Sequence, residues 1–125
     1  MSSFNEALNI LHVKQQQREQ STAVRNSKAF YEFSSTLLNN IACVLYQRQD
    51  CISSLAFLQK SLMDARLALK HSSMSSKKSG VPELALIQIS IVYCNIGLVH
   101  YMNWKWDDAI VAFDEALLVS KNIYI

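Results

Sequence analysis

Two glycines and one proline in 125 residues are too few for the tight turns that a small all-β domain requires. With half of the residues hydrophobic, that scarcity predicts helices throughout. A charge excess is missing too. Twelve Lys and Arg against ten Asp and Glu give a net charge of +2, so no strong attraction to nucleic acid or to an acidic membrane is expected. The basic stripe of an RNA-binding helical repeat is absent as well. Cys43, Cys51 and Cys94 are odd in number and have no Cys-x2-Cys spacing. This argues against a disulfide framework or a zinc site, and for the reduced thiols of a cytoplasmic protein. The amino-terminal residues include Glu6 and no long apolar core, so they do not read as a secretory signal.

Patterns that carry chemistry are scarce. His12, His71 and His100 are scattered, with no Ser-His-Asp set, Glu-x-x-His motif or Gly-rich phosphate loop around them. Asp107 and Asp108 are adjacent on a helix and diverge, which is poor geometry for paired acid–base work. The expectation is a protein that is not an enzyme and uses no cofactor and no metal. Residues 84–104 carry no formal charge and have about the length of a membrane span. Gln88, Ser90, Asn95, His100 and Asn103 lie within them and would be costly at a bilayer centre, so a buried helix is the expectation, with no membrane partner.

What the chain does have is an internal pattern. In residues 93–118, Ile96 and Gly97 sit mid-helix, a polar turn follows at 103–105, and Ala109, Phe113 and Ala116 recur at helical steps. Small residues at Gly97, Ala109 and Ala116 let two backbones approach closely, with Trp106 and Phe113 filling the gaps. A shift of 55 residues lays Asn40, Ile41 and Ala42 on Asn95, Ile96 and Gly97. The same shift puts Val44 on Val99, Tyr46 on Tyr101, Leu58 on Phe113 and Leu62 on Leu117, while Ser54 and Ser61 stand at the small sites Ala109 and Ala116.

These residues resemble the tetratricopeptide repeat, W-x2-L-G-x2-Y followed by A-x3-F and a further Ala. Tyr93 stands at the Trp position, Ile96-Gly97 at L-G, His100 at the Tyr, and Ala109, Phe113 and Ala116 at the last three. The run Asn39-Asn40-Ile41-Ala42 is similar to the repeats of kinesin light chains. The resemblance implies an all-α fold of antiparallel helix hairpins stacked as a short right-handed solenoid, about five helices in all.

Residues 1–20 read as the second helix of a partial repeat, because Phe4-x-x-Ala7 matches Trp106-x-x-Ala109, with the helix either ending or becoming exposed near Ser21 and Thr22. A hairpin over 28–71 follows, then a Ser-rich loop over 72–81, then a hairpin over 82–122. Asp50 is placed to cap the second helix of the first hairpin, and Pro82 suits a first helical turn. Gln49 and Trp104 occupy the turn sites where the family usually has glycine, which leaves the tightness of both turns open.

Tetratricopeptide arrays take peptides or partner helices in the groove lined by the first helix of each pair, and the resemblance implies a protein or peptide partner here. Carried over by position, the groove would hold Asn39, Asn40, Cys43, Tyr46 and Gln47 from one repeat. The next repeat would add Cys94, Asn95, Leu98, Tyr101 and Met102. Successive amides such as Asn40 and Asn95 can hold an extended backbone whatever its side chains, or can tie one helix to its neighbour. Thr36, Asn39, Cys43, Ile91 and Asn95 stand where carboxylate-gripping members carry lysine and arginine, so that clamp is not expected. The alternative is an architectural fragment of a longer array, self-associating or docking onto further repeats through uncapped ends at residues 4–11 and 111–125.

Overall fold

The computed structural model describes the backbone of residues 2–72 and 83–123, and the side chains of these residues other than 2, 4 and 19–26. Four helices make up the described residues: α1 (Ser2–Gln47), α2 (Cys51–Ser72), α3 (Leu84–Met102) and α4 (Trp106–Ile123). The chain is all-helical, and α1 packs with α2, α2 with α3, α3 with α4, and more sparsely α1 with α3. Of the Ser-rich loop expected over 72–81, residues 73–81 lie outside the described residues, as do Pro82 and the last two positions of the chain.

One boundary differs from expectation. Where the sequence suggested a helix ending near Ser21 and another starting near 28, α1 runs unbroken for 46 residues, about 69 Å at 1.5 Å per residue. The physical reason lies in its composition. Ser2–Gln47 contains neither Gly nor Pro, and the polar stretch around residues 15–22 changes what the helix faces without removing a backbone hydrogen bond. Side chains 5–18, including Leu8, Ile10, Leu11 and Val13, are exposed. α2 likewise runs one residue past the expected end at 71, and Ser72 is buried with its hydroxyl donating to the carbonyls of Ala68 and Leu69.

The two interhelical turns are congruent bond for bond at the 55-residue shift. Gln49 N donates to Tyr46 O and Asp50 N to Leu45 O; Trp104 N donates to Tyr101 O and Lys105 N to His100 O, all at 2.9–3.1 Å. Gln49 and Trp104 both lie in the left-handed region, with φ of 65° and 64°. The turns are therefore as tight as glycine would make them, with non-glycine residues held there by the packing on either side. Asp50 caps α2 as expected, its Oδ1 accepting from Ser53 N at 3.1 Å.

Inside each hairpin the same serine ties the two helices. Ser35 Oγ donates to Ser61 O at 2.9 Å, and at the shifted positions Ser90 Oγ donates to Ala116 O at 3.3 Å. In the first hairpin Ser61 Oγ returns the bond to Ser35 O at 2.7 Å; in the second Ser120 completes the set, 2.8 Å from Ser90. Around these bonds the core is one cluster drawn from all four helices, including Ala42, Leu58, Leu62, Ala65, Ile89, Val92, Ile96, Val99 and Ala112. By length and composition α3 could cross a membrane, yet here it packs against the other three helices, and its Gln88, Ser90 and Asn95 bond to them.

Candidate functional site

The first helices of the two hairpins, α1 and α3, lie side by side with their chains running in the same direction. Their contact differs in kind from the apolar interior of the hairpins, because polar pairs run along it. Lys28 Nζ lies 3.4 Å from a Glu83 carboxylate oxygen and 3.7 Å from one of Glu32. Further along, Gln88 Nε2 donates to Glu32 O at 3.1 Å and to Thr36 Oγ1 at 2.5 Å. Asn95 Nδ2 donates to Asn39 Oδ1 at 2.9 Å, with Cys43 Sγ at 3.8 Å. The first partners in each pair sit 55 or 56 residues apart, so the helices are aligned at the repeat interval.

Two hollows flank the Asn95–Asn39 bond. A cleft of about 200 Å³ is lined by Thr36, Asn39 and Asn40 of α1 and by Gln88 and Ile91 of α3. A smaller, apolar one of about 30 Å³ lies on the other side, where Cys43 and Tyr46 meet Asn95 and Leu98. Six of the ten expected groove residues, Asn39, Asn40, Cys43, Tyr46, Asn95 and Leu98, therefore line one seam. Gln47, Cys94 and Met102 are exposed and stand one helical turn from Cys43 or Leu98 on the same faces.

The ring of Tyr101 meets Trp106 edge-on, 5.7 Å between centroids, and Trp104 lies 5.6 Å from Trp106. The α3–α4 turn thus ends in an exposed aromatic group of three. The two asparagines also part company. Asn95 is tied across to α1, whereas Asn40 is exposed and its side chain has no hydrogen-bond partner among the described residues.

Gln88, Glu83 and Lys28 were not picked out as groove residues from the sequence, although they bond across the α1–α3 contact. A usable signal existed. Glu83 and Lys28 are 55 residues apart and opposite in charge, as side-by-side positions of two parallel helices can be. Among the described residues no group of three or more His, Cys, Asp or Glu side chains could hold a metal ion, and all three cysteines are free thiols. Comparison with family models, curated proteins and solved structures finds no match to this chain.

Proposed function

We propose that the chain is a non-catalytic protein–protein interaction module of the tetratricopeptide type, taking an extended peptide in the groove along α1 and α3. The observation that carries this reading is a fixed amide, Asn39, beside a free one, Asn40, in the lining of the same cleft. Asn95 is held by Asn39, and Asn40 keeps both its donor and its acceptor available. A free carboxamide can accept from one peptide N–H and donate to the neighbouring carbonyl, which gives affinity for a backbone without dictating its side chains. Ile91 and Leu98 supply apolar area on either side, and Tyr46 a flat face with a polar tip.

The tetratricopeptide reading draws further support from the 55-residue register, which the two turns and the two serine bonds share. Stacking as a right-handed solenoid and residence in the reducing cytoplasm belong to the same proposal. Exposed Cys94 is in keeping with a compartment where thiols stay reduced.

Peptides selected from a random-sequence display library on the intact chain provide the test. Selected sequences should bind the wild type and lose about tenfold in affinity on Asn40→Ala. Failure to enrich any peptide, or equal binding by Asn40→Ala and by an α2 surface variant such as Met63→Ala, would contradict the groove assignment.

A further inference from the structure

We infer that the chain associates head to tail with further copies of itself, the outer face of α4 of one copy packing on the outer face of α1 of the next. The molecule already contains the pattern for this contact, because α2 and α3 pack together inside it. On α2 the stripe Cys51, Leu55, Leu62 turns to the shared core, and Arg66 beside it donates to the Tyr93 hydroxyl of α3. Advanced by 55 residues, that stripe becomes Trp106, Ile110, Leu117 and Lys121 on α4. There it is open: Leu62 is 8% exposed and Leu117 is 60%.

The covering helix has a counterpart as well. Val92, Ile96 and Val99 of α3 join the cluster that it shares with α2, and Ala85 on the same helix is buried; their positions 55 residues earlier are Leu37, Ile41, Val44 and Phe30 on α1. Val92 is 1% exposed and Leu37 is 48%, and all four α1 residues are exposed. One molecule thus displays both halves of an interface that it also contains in closed form. An apolar stripe of that extent left open is unusual for an isolated soluble helix pair.

The occupant is identified by how the neighbouring seam changes. Repeating the α2–α3 relationship between copies brings α3 of one beside α1 of the next. The internal contact of Gln88 with Thr36 then becomes Phe33 of the second copy with Ile91 of the first. A polar pair is replaced by an apolar pair, both of whose members are exposed in the single chain. The internal ion pair of Lys28 with Glu83 becomes Glu83 of the first copy with Lys28 of the second, again opposite in sign. Matched polarity at these two positions points to a second copy of this chain rather than to an unrelated helix. Because the two faces differ, the contact is heterologous and joins copies head to tail rather than as an isologous pair.

Sedimentation velocity on the full chain and on two variants tests this. Leu37→Glu/Ile41→Glu closes the α1 face and Ile110→Glu/Leu117→Glu closes the α4 face; all four positions are exposed, so helicity by circular dichroism should be unchanged. The wild type should form species that grow with concentration through tens of micromolar, and each variant alone should sediment as a monomer. An equimolar mixture of the two variants should give a dimer and nothing larger, since it retains one intact pair of faces. A monomeric wild type, variants that still assemble alone, or a mixture that stays monomeric would each overturn the inference. The second of these outcomes would instead place the contact elsewhere, for example on the exposed Leu8 and Leu11.

Discussion

Gly97 of α3 lies directly beneath the ring of Phe113 on α4: a Cβ added to the glycine would stand 2.6 Å from Phe113 Cε1 and 2.8 Å from Cζ. At the corresponding point of the first hairpin Ala42 of α1 faces α2 where Leu58 stands in place of the phenylalanine, and both are buried. The two sites solve one packing problem with the volume divided differently, glycine with a ring or alanine with a branched chain.

That relationship predicts a compensated pair. Gly97→Ala should destabilise the chain by about 1–2 kcal/mol, the strain of overpacking exceeding the helix propensity gained. Adding Phe113→Leu should recover at least half of the loss, because it recreates the Ala42–Leu58 arrangement. Urea unfolding of both single variants and the double gives the coupling directly, and additive effects would contradict the shared packing site.

The left-handed turn residues predict gains. Gln49→Gly should stabilise by about 0.5–1 kcal/mol, since glycine adopts that φ without the Cβ clash. Trp104→Gly should gain less or nothing, as it also loses the ring contact with Trp106. Thermal unfolding of the two variants is the measurement, and the order of the two is the point at issue.

The serine pair predicts loss without additivity. Ser35→Ala and Ser61→Ala should each cost about 1–3 kcal/mol, because each leaves a buried partner short of a bond. The double variant should cost clearly less than the sum, both hydroxyls having gone together. Ser90→Ala, with partly buried bonds, should cost less, about 0.5–1 kcal/mol.

The two asparagines should separate stability from binding. Asn40→Ala is expected to leave the unfolding midpoint unchanged while weakening peptide binding about tenfold. Asn95→Ala is expected to lower both, by about 1 kcal/mol in stability, as the bond to Asn39 is lost. Parallel unfolding and titration measurements on the two variants decide it.

Much of the hairpin architecture was legible because packing sites repeat in the sequence. Small residues at Ala42 and Gly97, capping by Asp50, and the polar turns at 47–50 and 103–105 all follow from local chemistry. The continuity of α1 was harder to see. Polar residues around 15–22 suggested an ending, but Ser2–Gln47 holds no proline or glycine to interrupt the helix. Individual groove contacts were less legible still. Whether an amide reaches its neighbour or solvent depends on where on the helix it faces relative to the adjoining one. Asn39, not Asn40, points along the direction that meets Asn95. Tyr101 was drawn to the turn by Trp106, a contact that repeat position alone does not reveal.

The account rests on the α1–α3 seam being the face that takes a partner. Photo-cross-linking of a library-selected peptide to the intact chain, read by mass spectrometry, tests this most directly. Adducts confined to residues 36–47 of α1 and 88–102 of α3 are the predicted result; adducts concentrated on the outward faces of α2 and α4, around Met63 or Leu118, would contradict it.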